Sequence, residues 1–282
     1  MKFLGRPDAR VAACRVPALL CMLALSLGSA SALAQAQDCP ARLRVAFPDA
    51  SAEPLVRGQG EAFARPPGLL VDWVRAAVRD LGCEGVLELV RLPARRVRLM
   101  LEIGQIDLVA GVSANGPLGE LLALPPPAGR FGEFDYSLGE VELALYARRG
   151  TLTSWDGQRL PALGEGARLG VVSGGRPEVL ARERGWPAEA APSQETALLK
   201  LQAGRTALLL GQAYFLDERL RTDARLARQI VKLQPPVERL RLQVGAVPGF
   251  AHSHPAFMQR LWTGLCRQSQ MSHLDGACRL PP

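Results

Sequence analysis

Apolar and polar positions along the chain alternate between two periods. Leu43-Arg44-Val45-Ala46-Phe47 is a short run rich in apolar residues, ended by Pro48-Asp49, and predicts a strand. After a loop rich in Pro and Gly, Leu70, Trp73, Val74, Ala77, Val78 and Leu81 recur at helical spacing. Asp72, Arg75, Arg79 and Asp80 lie on the opposite face, and Gly82 is the stop signal. Val86 to Val90 predicts a second strand and Arg95 to Ile103 a second helix, stopped by Gly104. Ile106 to Val112 is nearly all apolar, as a strand buried on both faces should be. This β-α-β-α-β order predicts a parallel sheet.

A second such unit follows. Val141 to Ala147 predicts an extended strand and Arg168 to Ser173 another, followed by Gly174-Gly175 and a helix from about Pro177 to Arg184. Ser193 can cap a helix from Glu195 to Ala203. Ala207 to Leu210 predicts a buried strand, Tyr214 to Arg221 a helix and Gln229 to Leu233 a strand. Leu240 to Val247 is again extended, and Ser253 and Pro255 open a last helix with a Phe257, Leu261, Leu265 stripe. The pattern places the chain in the α/β class, with no fixed-period repeat and no low-complexity tract.

The N-terminus changes the arithmetic. Lys2, Arg6, Arg10 and Arg15 precede an apolar run, Val16 to Leu27, and Ala32-Leu33-Ala34 is a small-x-small cleavage pattern. Residues 1–34 therefore read as a secretory signal peptide, and export to the periplasm is expected. Without that leader, 34 − 4 = 30 basic and 27 − 1 = 26 acidic residues remain, a net charge of +4. So small an excess does not describe a nucleic-acid binder, which concentrates basic charge on one face. No later apolar run approaches the ~20 residues needed to span a membrane. Four cysteines also remain, Cys39, Cys83, Cys266 and Cys278. An even number in an exported chain reads as disulfides. None forms a C-x-x-C pair, and His252, His254 and His273 lie late in the chain, so neither a metal nor a cofactor is expected. The sequence also lacks G-x-S-x-G, H-E-x-x-H and P-loop motifs, and the chain ends soon after its second α/β unit. An enzyme is not expected.

Taken in order, LRVAF, GLLVDWVRAAVRDLG, PARRVRLMLEIGQIDLVAGVS, LGVVSGGRPEVL and LLKLQAGRTALLL resemble the periplasmic solute-binding proteins of family 3, with the type II binding-protein fold of ABC importers. The resemblance spans about residues 41 to 272. It implies two lobes, each a mostly parallel sheet flanked by helices, with a ligand cleft between them. Lobe 1 would hold residues 39–138 plus 247–282, and lobe 2 would be the inserted segment 139–246. The two crossings would fall near Glu140 to Ala144 and Leu242 to Ala246. The strand order places Cys39 and Cys83 just before adjacent parallel strands. Of three connectivities, Cys39–Cys83 and Cys266–Cys278 are therefore expected, the second pinning the tail to the last helix.

Two departures bear on the ligand. Where amino-acid binders of this family carry a carboxylate-clamping arginine, this sequence has Leu118. Where they present an aspartate to the ligand ammonium, it has Gln212. A standard α-amino acid is therefore not the expected ligand. The candidate contacts are Asp49, Arg96, Ser113, Asn115, Gly174, Gly175, Arg176 and Gln212. Arg96 follows the family's P-x-x-R pattern, with a solvated helix face as its alternative. Ser113 and Asn115 follow a strand end, where turn chemistry explains them nearly as well. Gly174-Gly175-Arg176 opens a helix whose free N–H groups suit an anion, or is an ordinary strand-to-helix turn. Asp49 and Glu53 follow the first strand, and Trp73 is expected in the core.

The function expected is an exported, monomeric protein that captures a small polar or anionic organic solute for an ABC permease. The alternatives are a ligand-sensing partner of a membrane signalling protein and an enzyme on the same fold.

Overall fold

The computed structural model describes residues 39–49, 52–126, 134–151, 155–160, 166–271 and 278–280. The expected signal peptide, 1–34, lies outside the described residues. Strand β1 (Leu43–Pro48) leads into a hairpin of β2 (Gly58–Gln59) and β3 (Ala62–Phe63), then helix α1 (Leu69–Asp80). Strand β4 (Leu87–Leu92), helix α2 (Ala94–Glu102) and strand β5 (Leu108–Val112) follow. β1 pairs in parallel with both β4 and β5, as the first β-α-β-α-β pattern predicts. The helices begin and end within a residue or so of the predicted bounds. Gly82 and Gly104 stop α1 and α2 with φ of 73° and 66°, a left-handed conformation that costs glycine nothing.

The second half contains β6 (Gly139–Arg148), β7 (Leu169–Val172), α3 (Arg176–Glu183), β8 (Ala188–Ala191), α4 (Gln194–Gln202), β9 (Leu208–Gln212), α5 (Ala213–Thr222), α6 (Ala224–Gln229) and β10 (Ile230–Lys232). β7 is parallel to both β8 and β9. Strand β11 (Glu238–Ala246), α7 (Pro248–Ser253) and α8 (Pro255–Gln270) complete the order. Ser193 caps α4 as predicted, its Oγ accepting from Thr196 N at 3.1 Å.

The sheet runs β4-β1-β5-β11-β6-β9-β7-β8, with β10 alongside β6. β11 and β6 are neighbours between β5 and β9, so this pair crosses from one half of the sheet to the other. β11 pairs with β5 over Gln243 to Ala246 and with β6 over Glu238 to Leu242. Each half keeps its own apolar core. In the first, α1 buries Leu70, Trp73, Val74, Ala77 and Val78 against β1, β5 and α8. α8 approaches so closely that a Cβ at Gly264 would lie 3.3 Å from Ala77 Cβ. In the second, Leu143, Leu145, Val171, Leu208 and Leu210 fill one face of the sheet. Ala144, Tyr146, Leu198, Leu209 and Leu216 fill the other. This is the two-lobe fold of type II periplasmic binding proteins.

The structure pairs Cys39 with Cys83 and Cys266 with Cys278, at Cα separations of 5.5 and 5.6 Å. Among the described residues no helix is long and apolar enough to cross a membrane, and no group of His, Cys, Asp and Glu could hold a metal.

Candidate functional site

Open parallel sheets bind ligands beyond the carboxyl ends of their strands. Here the strand ends of both lobes converge on the crossing pair. The end of β5, Val112, is opposite Gln243 of β11, and the end of β9, Gln212, is opposite Leu143 of β6. Leu143 is in turn opposite Glu238. The two lobes' strand ends are thus 243 − 238 = 5 residues apart along β11, about 17 Å at the usual rise per residue.

On the lobe 1 side, Ser113 is half-buried and Asn115 exposed in a turn closed by Gly116 N donating to Ser113 O at 2.9 Å. Asp49 is half-buried just past β1, and its carbonyl accepts from the Arg91 guanidinium. Arg91, which the sequence did not single out, is 1% exposed. It also donates to the carbonyls of Pro48 and Ala62 and lies 5.6 Å from the Phe63 ring centroid. Burial lowers its pKa, with Asp49 opposing. It ties the loop after β1 to the hairpin, and an apolar-looking strand hides this role. Arg96 is exposed and pairs with Glu61 at 3.3 Å, which favours the solvated helix face over a ligand contact. The hairpin also borders a surface hollow of about 500 Å³ lined by Glu53, Arg57, Arg65 and Phe63.

On the lobe 2 side the glycine turn is already occupied. Gly174 N donates to Glu178 Oε2 at 2.6 Å, so the turn's amide holds a carboxylate from its own helix. Gly175 N turns back toward Val172 O at 3.4 Å. Arg176 is not a free fork either. Its guanidinium grips Glu238 through two hydrogen bonds, 2.8 and 2.9 Å, and Glu183 at 3.0 and 3.1 Å. Glu238 first and Glu183 second raise its pKa. The expected anion site at Gly174, Gly175 and Arg176 is thus an internal ion-pair cluster joining α3 to β11.

Gln212 closes β9 and opens α5. Its backbone N donates to Gln194 Oε1 at 2.9 Å. Its side-chain Oε1 accepts from Gln194 Nε2 at 3.0 Å and from the Tyr214 hydroxyl at 2.6 Å. Tyr214 packs against apolar clusters of both lobes, and burial raises its pKa. Gln194 and Tyr214 were missed because neither belongs to a motif; the strand-to-helix junction at Gln212 was their only signal. Gln243, on β11 opposite the end of β5, is also new: its Oε1 is buried without a hydrogen-bond partner among the described residues, beside a register shift in β11.

No protein-family profile matches the chain, and no curated protein is similar to it in sequence. Several solved structures are similar in fold. A substrate-binding protein of an ABC uptake transporter from Streptococcus pneumoniae, with bound histidine, matches with a TM-score of 0.61 and 15% identity, over 83% of this chain and 87% of that one. The periplasmic domain of BvgS from B. pertussis matches with a TM-score of 0.55 and 20% identity, over 83% of this chain and 40% of that one. An ancestral amino-acid-binding protein, a precursor of cyclohexadienyl dehydratase, matches with a TM-score of 0.56 and 15% identity, over 82% and 91%. At such identities the likeness concerns the fold.

Proposed function

We propose that this protein is an exported solute-binding protein that captures a small polar or anionic organic solute, other than a standard α-amino acid, for an ABC permease. The observation that carries this is the convergence of strand ends from both halves on the crossing pair. A solute between them would touch both halves at once and favour their closure. In this account lobe 1 is 39–138 with 247–282 and lobe 2 is 139–246, the leader 1–34 is cleaved, and a monomer works in the periplasm. Asp49, Ser113, Asn115 and Gln212 face the solute, while Arg96 and the Gly174-Gly175-Arg176 turn serve the scaffold. The likeness to the BvgS periplasmic domain supports a second role on the same chemistry, presenting ligand to a membrane sensor. An enzyme on this fold would differ from both by consuming what it binds.

Melting temperatures measured across a panel of polar and anionic metabolites test the proposal, because a ligand of the folded state alone raises the melting point. At least one small solute should do so and be recovered unchanged. A solute recovered as product would turn the proposal into an enzyme. A panel without any stabilising member would contradict solute binding.

A further inference from the structure

The hydrogen bonds around Gln212 have a direction. A backbone N–H can only donate. Gln212 N lies 2.9 Å from the Gln194 carboxamide, so the atom facing it is that carboxamide's oxygen. The Gln194 nitrogen is then turned to the Gln212 side chain, 3.0 Å away, and what it meets there is oxygen. The opposite orientation of Gln212 would set two N–H groups against each other. The Tyr214 hydroxyl, 2.6 Å from the same oxygen, supplies a second donor to it. Gln194 is 7% exposed, so neither of its amide ends can turn to water instead. Gly211 makes room for this arrangement: a Cβ there would come within 3.1 Å of Gln194 Oε1 and collide with Leu216 Cδ1.

One chemical group is left over. The Gln212 Nε2 has no hydrogen-bond partner among the described residues, and Gln212 is half-buried rather than sealed. It stands at the carboxyl end of β9, on the same junction from which α5 starts without a side-chain cap.

We infer that lobe 2 presents Gln212 to the solute as a pure N–H donor, so that the ligand carries an acceptor oxygen at this point, of a carboxylate, oxo or hydroxyl group, and not an ammonium. This rests on the proposed solute-binding function and narrows its ligand class. An ammonium there would meet the carboxamide donor to donor. Substituting Gln212→Glu keeps one oxygen for Gln194 and Tyr214 and turns the other, an acceptor, toward the solute. The scaffold is retained while the polarity of the exposed group reverses.

Two measurements on the purified protein test this. The first needs no ligand: proton exchange of the glutamine side-chain amides by NMR, with Gln194→Glu and Gln212→Glu assigning the signals. The Gln194 NH₂ should exchange at least tenfold more slowly than that of Gln212, and a protected Gln212 NH₂ would overturn the inference whether or not any solute binds. The second is calorimetric titration with matched pairs, 2-oxoglutarate against glutamate and pyruvate against alanine, together with the solute that stabilises the protein most and its amino counterpart. The wild type should bind the oxygen-bearing member at least tenfold more tightly, and Gln212→Glu should reverse the order. Tighter binding of the ammonium member by the wild type would overturn the inference. Failure of every solute to bind would strike the proposed function, leaving the orientation of Gln212 to be decided by exchange alone.

Discussion

Arg176 follows β7 and Gln212 ends β9, and the sequence makes both of them candidate ligand contacts. Their partners separate them. Arg176 is 12% exposed in its side chain and holds Glu238, itself 16% exposed. Removing a partner from a charged, half-desolvated pair leaves the other without compensation. Arg176→Ala should therefore destabilise the ligand-free protein by about 1.5–3 kcal/mol, the range for charged hydrogen bonds, and leave solute affinity nearly unchanged. Urea denaturation checks the first part and titration the second; unchanged stability with lost affinity would restore the arginine to the site. Residue roles of this kind were only partly legible. The chain shows that a residue follows a strand, but not whether a glutamate 62 positions away will claim it. Gly211 makes the same point. Its need to be glycine comes from Gln194 and Leu216 approaching it, and nothing local in LLLGQ announces that. Gly211→Ala should weaken solute binding through Gln212, measured by titration, and an unaltered affinity would mean that the pair tolerates displacement.

α5 is tied to β6 and β10 by a charged network. Lys232 Nζ on β10 bridges Asp217 on α5, at 2.8 Å, and Glu142 on β6, at 3.0 Å. Tyr146 OH donates to Asp217 at 2.6 Å. Burial lowers the Lys232 pKa, but its two carboxylate partners outweigh that and the net shift is upward. The hydrogen bond from Lys232 holds the Glu142 carboxyl below its usual value. A depressed carboxylate stabilises the fold above its unfolded pKa and loses that contribution as pH falls through the folded one. A raised lysine stabilises below its unfolded pKa and loses it as pH rises through the folded one. Lys232→Met should thus cost about 1–2 kcal/mol, discounted for the exposure of Asp217, between about pH 5 and pH 10. The gap to the wild type should shrink at both extremes in urea titrations; a gap independent of pH would mean that packing, not charge, is lost.

Cys39–Cys83 closes 44 residues and Cys266–Cys278 only 12. Chain entropy assigns them about 4 and about 3 kcal/mol, respectively. Replacing the first pair by serine should lower the melting temperature more than replacing the second, and the reverse order would point to native-state packing as the larger effect. α1, α2 and α8 were legible because one buried face dictates their helical period, and β5 because a strand buried on both faces reads as an unbroken apolar run. β8 was not: Ala-Glu-Ala-Ala has no strand propensity, and only pairing with β7 at the sheet edge makes it one. The short α6 and α7 were missed because six residues carry too little pattern to read.

For the molecule as a whole, the order of elements was legible because parallel strands joined by helices admit few topologies. The meeting of both lobes' strand ends on β6 and β11 was legible only through the resemblance, since no local pattern states which distant strands will cross. The proposed function requires one solute to be held between the two lobes. Hydrogen exchange followed by mass spectrometry reads this out, using each solute that raises the melting temperature. Bound solute should slow exchange together in the peptides covering 112–119 of lobe 1 and 211–216 of lobe 2, and should do so less in Gln212→Ala at the same solute concentration. Protection confined to one of these segments, or found only elsewhere, would contradict it.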